Sequence, residues 1–218
     1  MVAHLTTAER FAPLPDALFR GGRWFMPKLT RADAAEMVRL GIIPEDASTE
    51  LLNGLIVLKD RSARDQDPTM IGPGHRKCVE KLSALRSRID SPARHVESQQ
   101  PLICNESHVP EPDFMILRGT LDDYTDLPTA ADAFCAVEVA DSSYERDATE
   151  KLRGYAAAGV QQYVIINLRT RTAEVYANPA PAAGTYPPPQ LVTAADRVAL
   201  RAGAEGETIE VRLGDVLP

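Results

Sequence analysis

Cysteine and positive charge are both scarce in this chain of 218 residues. Its three cysteines, Cys78, Cys104 and Cys135, are an odd count with no CxxC spacing, which does not make a disulfide framework. Each stands in an apolar context, so free, mostly buried thiols in a reducing cytosol are expected. Lys and Arg number 24 against 31 Asp and Glu, a net charge of −7. Nucleic-acid binding relies on neutralising phosphates, so this balance argues against a broad basic surface and leaves room only for a local basic stripe. No apolar run approaches the roughly 18 residues of a membrane span. Glu9 and Arg10 stand where a signal peptide would need its apolar core. The expectation is a cytoplasmic protein with no membrane partner. Apolar residues at 44% and charged residues at 25% are ordinary for a globular protein. The length suits one good-sized domain with an arm.

The most informative stretch runs from Phe134 to Leu168. A short apolar run, Phe134 to Val139, is interrupted by one carboxylate, Glu138; a helical pattern follows, then a second apolar run from Tyr163 to Leu168. Strand, helix, strand is the βαβ unit, which sets its strands parallel and leaves a crevice at their carboxyl ends. Glu138 falls near that end of the first strand. An ionised Glu in a run buried on both faces is costly unless a metal ion or a cation such as Lys151 compensates it. The helix has two possible starts: Asp147 with Glu150, which puts Lys151 in the first turn, and Ser142 with Glu145. The Asp147 start is preferred, and Gly159 is its left-handed stop.

The rest of the chain supplies a frame for this unit. Residues 1–27 read as an N-terminal arm whose Trp24, Phe25 and Met26 pack on the body or on a neighbouring subunit, and residues 28–218 as one domain. Thr30 and Asp33 open a short helix from Arg31 to Leu40 that Gly41 ends. Asn53-Gly54 between apolar runs signals a two-residue hairpin with Glu50 on its first strand. A charged loop spans Lys59 to Gly74. His75 to Ile89 is an amphipathic helix with a buried stripe of Cys78, Leu82, Leu85 and Ile89 and, beside it, Lys77, Lys81 and Arg88, a solvated or a phosphate-contacting face. Strands are expected over Val96 to Leu102 and over Val109 to Leu117, with Asp113 at the centre of the second. The acidic loop from Gly119 to Asp132 should point away from an anionic substrate. Thr172 to Ala177 pairs by a short turn with the strand ending at Leu168. The proline-rich segment 178–190 reads as an extended loop, and Leu191 to Leu217 as short strands closing the sheet.

Asp113, Glu138 and Lys151 are the parts a metal-dependent phosphodiesterase needs. Two carboxylates and a backbone carbonyl, with Val139 as donor, suit a hard Mg²⁺ or Mn²⁺ that keeps several waters. Glu50 could ligate the metal, bind a second ion or hold a metal-bound water. The order PD, an acid inside an apolar strand, and a lysine on the next helix is more specific than its parts. ELLNG at Glu50 to Gly54, His75 opening a helix, EPDFMIL at Glu111 to Leu117, and VEVADSS with DATEKLRGYAAAGVQQYVIIN resemble the Uma-two family of endonucleases. The likeness covers roughly residues 28 to 178. It implies α/β architecture of the restriction-endonuclease-like kind, a mixed central sheet with flanking helices, in the PD-(D/E)XK superfamily. It also implies a DNA substrate, Glu50, Asp113, Glu138 and Lys151 as catalytic residues, and Asp113, Glu138 and Val139 as metal ligands. The chain departs from the wider superfamily two residues after Glu138, where Ala140 replaces the usual lysine; Lys151 stands in from the helix.

Other readings compete at each position. Asp113 after a proline can be a turn residue, Glu138 a structural ion-pair partner of Lys151, Asp147 and Lys151 a surface pair, His75 a hydrogen-bonding residue, and Tyr155 core-facing support. At the level of function the alternatives are a catalytically inactive binding or assembly module and an oligomer whose acids hold a structural metal. A homodimer or higher homo-oligomer is expected, since cutting both strands of a duplex commonly uses two sites.

Overall fold

The computed structural model describes residues 28–59 and 72–218. The N-terminal arm and residues 60–71 of the charged loop expected over Lys59 to Gly74 lie outside them, and Pro73 and Gly74, expected in that loop, open a helix instead. The chain begins with helix α1 (Arg31–Arg39), whose Thr30 and Asp33 form the expected capping box. Gly41 follows it at φ +69°. A hairpin comes next, β1 (Thr49–Leu52) and β2 (Leu55–Leu58), paired antiparallel. Asn53 and Gly54 both have positive φ, 53° and 80°, as a type I′ turn requires. A Cβ on Gly54 would also lie 2.5 Å from the Cβ of Lys28.

Helix α2 (Pro73–Ser83) and the single turn α3 (Arg86–Ile89) replace the continuous helix expected over His75 to Ile89. The stripe survives the break, for Cys78, Leu82, Leu85 and Ile89 are all buried. Of the three cations beside it Lys77 is exposed, and the other two are engaged within the chain. Lys81 donates to the carbonyl of Leu217, and Arg88 to that of Glu210 at 3.3 Å.

The central sheet has the order β3-β4-β5-β6-β7-β8. Its strands are β3 (Arg94–Glu97), β4 (Phe114–Arg118), β5 (Ala133–Ala140), β6 (Gln162–Asn167), β7 (Thr172–Ala177) and β8 (Gln190–Thr193). Only β5 and β6 run parallel; the other pairs are antiparallel. The sheet is therefore mixed, with the βαβ unit at its centre. Strand β3 is shorter than expected, and Asp113 precedes β4 instead of sitting at its centre. The reason is that Asp113 turns a carboxylate oxygen to the N–H of Val139 at 2.9 Å, so a side chain stands where ladder pairing would continue.

Helix α4 occupies 144–158 between β5 and β6, opening with an α turn (Tyr144–Arg146), widening into a π segment (Asp147–Lys151) and finishing as α-helix (Leu152–Ala158). It ends at Gly159, φ 80°. Its start is Tyr144 and not the preferred Asp147. The Ser143 hydroxyl donates to Asp147 Oδ2 at 2.6 Å, so Asp147 is bonded one turn inside the helix and does not cap it.

Two apolar layers sandwich the sheet. Period-two alternation puts Cys135, Val137 and Val139 of β5 in one layer, against α2 and α3, and Ala136 and Ala140 in the other. Glu138 shares the parity of those alanines and so faces α4. Their small side chains leave space for Tyr155 and Tyr163, the largest fully buried residues. The C-terminal part closes the sheet only with β8. Strands β9 (Arg197–Arg201) and β10 (Thr208–Arg212) form a separate hairpin, and α5 (Leu213–Val216) follows. Segment 178–190 folds onto the body, where Tyr186 donates to the Val160 carbonyl at 2.7 Å.

Candidate active site

Lys151 is the centre of the site. Its residue is 2% exposed, and its ammonium lies 2.8 Å from Glu50 Oε1, 2.8 Å from Glu138 Oε1 and 4.0 Å from Asp147 Oδ1. The π segment brings this about. An i→i+5 turn holds one more residue than an α turn, and here Asp147 and Lys151, four apart, are both buried. The surface pair that their spacing allows is thus an interior pair.

Each acid arrives on a different element. Glu138 projects from β5, and its Oε1 also accepts the Tyr155 hydroxyl at 3.0 Å. Glu50 comes from β1, on the small hairpin outside the main sheet, and accepts the N–H of Glu111 at 2.7 Å. The hairpin is pinned by the Val109 N–H on the Leu51 carbonyl at 2.7 Å and by Asn53 Nδ2 on Glu150 Oε2 at 2.6 Å. Asp113 does not touch Lys151. Its Oδ2 accepts the Val139 N–H and lies 3.0 Å from His75 Nε2, so Val139 joins the site through its amide. The chain thus brings Glu50, Glu138 and Lys151 into direct contact and sets Asp113 beside them, one residue along from Glu138.

Burial and surplus negative charge set the electrostatics. Burial pushes the carboxyl of Glu138 well above its ordinary range; Lys151 opposes this, and the charges of Asp147, Asp113 and Glu50 add to it. Asp147 is raised for the same first reason, against Lys151, the Ser143 hydrogen bond and Arg146. Glu50 moves the other way, because Lys151, Lys59 and two hydrogen bonds outweigh its burial. Asp113 is lowered against burial by His75 and the Val139 amide. Lys151 is raised despite burial by the three acids around it, so it stays protonated.

Two residues escaped the sequence reading. Asp147 was weighed only as a helix start and surface partner, yet it is 1% exposed with Oδ1 lacking any hydrogen-bond partner. His108 is buried beside the hairpin, accepting the Asn53 N–H at Nδ1 (3.3 Å), and burial and Lys151 lower its pKa to about 4. Only an acid four residues before the lysine hinted at the first; nothing local marked the second.

The donor set fits a hard divalent ion. Three carboxylates surround one ammonium with Asp113 beside them, and Glu50 Oε2 and Asp147 Oδ1 are buried without partners. Among the described residues no three His, Cys, Asp or Glu side chains converge on one point able to hold a metal. An ion here would rest on two side chains, main-chain oxygen and water, a coordination Mg²⁺ accepts.

The family model Uma2, described as "Putative restriction endonuclease", matches residues 36–212. A crystal structure of a putative nuclease belonging to DUF820 from Anabaena variabilis ATCC 29413 superposes with a TM-score of 0.63 at 13% sequence identity. The match covers 86% of this chain and 97% of that one. At that identity the likeness is one of fold, and the α/β fold is the restriction-endonuclease-like one expected. No curated protein matches the chain. Among the described residues no helix is long and apolar enough to cross a membrane.

Proposed function

The chain belongs to the Uma2 family of putative restriction endonucleases, and from that membership we propose that it is a divalent-metal-dependent endonuclease hydrolysing phosphodiester bonds in DNA. The observation that carries the reading is the buried Lys151 ammonium, 2.8 Å from both Glu50 and Glu138. Asp113 and Glu138, with the Val139 carbonyl, are the residues that would hold Mg²⁺ or Mn²⁺. Such an ion, when bound, lowers the pKa of a water and withdraws charge from the phosphoryl oxygens.

The chain's own residues supply the rest. Lys151 stays protonated, so it serves as a donor that orients the attacking water and offsets charge developing on the phosphate, and not as a base. Tyr155 and Lys151 fix the Glu138 carboxylate, while His75 and the Val139 amide fix Asp113. Glu50, from the hairpin, holds Lys151 alongside Glu138. Two copies, one per strand of a duplex, make a homodimer or larger homo-oligomer the assembly to test by light scattering.

Cleavage of supercoiled plasmid with Mg²⁺ or Mn²⁺ tests the proposal. Nicking or linearisation should appear with metal, vanish with chelator, and be lost in Asp113→Asn and Lys151→Ala. Unchanged cleavage in Lys151→Ala would sink it. One observation favours a second reading, a catalytically inactive binding or assembly module: the central ammonium and Asp113 are already engaged within the chain, Lys151 by Glu50 and Glu138 and Asp113 by His75 and Val139. DNA binding that persists in excess EDTA, with no cleavage in either metal, selects that reading.

A further inference from the structure

Beside the acid cluster, where the chain leaves β5 and enters α4, a cleft of about 360 Å³ is lined by Ser142, Ser143, Glu145, Arg146 and Thr149. It shares a wall with the site, since the Ser143 hydroxyl on its rim donates to Asp147 Oδ2. Arg146 is its only cation among the described residues. Its one hydrogen bond is long, NH1 to the Leu58 carbonyl at 3.5 Å, and its Nε is buried with no partner. Among the described residues the neighbouring cations Lys151 and Lys59 are committed elsewhere, Lys151 to Glu50 and Glu138 and Lys59 to Glu111 at 2.8 Å. No carboxylate among the described residues lies within ion-pair distance of Arg146. A planar guanidinium with unused donors, facing a cleft large enough for a nucleotide-sized group, is suited to a phosphodiester.

We propose that this cleft seats a backbone phosphate of the polynucleotide flanking the one that is cut, and that Arg146 binds it. The inference rests on the endonuclease reading and names how a chain of net charge −7 holds a polyanion: by a few dedicated cations and not by a basic face. Ser142, exposed at the rim, adds a hydroxyl. Glu145 lies in the same lining and opposes the anion, so the phosphate sits toward the Arg146 side. Removing that opposition should strengthen binding.

The test is the salt dependence of binding to a fluorescently labelled duplex, read by anisotropy, in an Asp113→Asn background that keeps the DNA intact. Arg146→Gln should weaken binding about three- to tenfold, uniformly across sequences, and reduce the slope of log K against log salt by about 0.9, the share of one phosphate. Glu145→Gln should tighten binding. Arg197→Gln, at an exposed position of β9, should change neither quantity. Circular dichroism of each variant separates a lost contact from a lost fold, and Arg146→Lys should recover part of the slope. An unchanged slope in folded Arg146→Gln overturns the inference. If wild type cleaves plasmid while that slope is unchanged, only the phosphate seat fails. If the slope falls but wild type never cleaves, only the endonuclease reading fails. If no variant binds DNA, both fall.

Discussion

Tyr155 and Lys151 share a single oxygen of Glu138: Oε1 receives the ammonium at 2.8 Å and the phenol at 3.0 Å. The two donors lie one helical turn apart on α4, so one carboxylate on β5 fastens that helix to the sheet. Tyr155→Phe removes one donor and leaves the packing intact. It should cost about 1.5 kcal/mol, a usual figure for a hydrogen bond to a charged group. Urea unfolding at pH 7 reads it as a lower midpoint at unchanged slope.

Lys151→Met leaves three buried acids, Glu50, Glu138 and Asp147, without their shared cation. Loss of one partner from a buried pair costs about 3 kcal/mol or more at neutral pH. The variant should be destabilised at pH 7 and regain stability as the pH is lowered toward 5, because protonation relieves the repulsion. A melting series across that range checks it. Adding Glu138→Gln should restore part of the loss at pH 7 and flatten the pH response.

Cation binding should be coupled to proton release. Glu138 and Asp147 are held above their ordinary values of 4.5 and 3.8, chiefly by burial. A group with a raised folded-state pKa favours the folded protein below its unfolded value, and that contribution is lost as pH rises through the folded pKa. Ionised Glu138 is therefore a cost at neutral pH, which a divalent ion bound there would offset. Mg²⁺ or Mn²⁺ affinity should fall as pH is lowered below 7. Titration calorimetry in buffers of different ionisation enthalpy should report protons released, and Glu138→Gln should release fewer.

His108 and Gly154 form a tight contact. A Cβ at position 154 would lie 1.9 Å from His108 Nε2, so Gly154→Ala must displace the ring or the helix and should cost about 2 kcal/mol. His108 has a folded pKa of about 4 against an ordinary 6.5. Its sign is opposite to that of Glu138: the contribution is present above pH 6.5 and is lost as the pH falls toward 4. The difference corresponds to about 3 kcal/mol. Comparing the pH dependence of melting for wild type and His108→Gln isolates it, and a curve unaffected by the substitution would refute the assignment.

What the sequence disclosed was whatever depends on neighbours along the chain. The Asn53-Gly54 turn, the Thr30 and Asp33 cap, the Gly159 stop and the Thr172–Ala177 strand all follow from local backbone preferences, and all are present. The site's contacts join residues far apart: His75 meets Asp113 across 38 positions, and Glu111 meets Glu50 across 61. No periodicity encodes such meetings; the hairpin signal put Glu50 on a strand, and the family resemblance made it a catalytic candidate. The π segment was illegible because Asp147 with Glu150 reads as a capping box. The Ser143 hydroxyl takes up Asp147, and that is decided by burial. The β9–β10 hairpin read as sheet closure because alternation gives a strand's faces and not its partner.

Glu50 reaches Lys151 on a two-stranded ribbon that belongs to no larger sheet and is held by a handful of contacts to segment 105–111 and to α4. Competence of the site is thus a property of chain closure: a molecule whose βαβ unit has formed while the ribbon is still loose has its ammonium half-neutralised and its pocket open to water. The ribbon acts as a keystone. Mild denaturant should silence the centre before the sheet itself gives way.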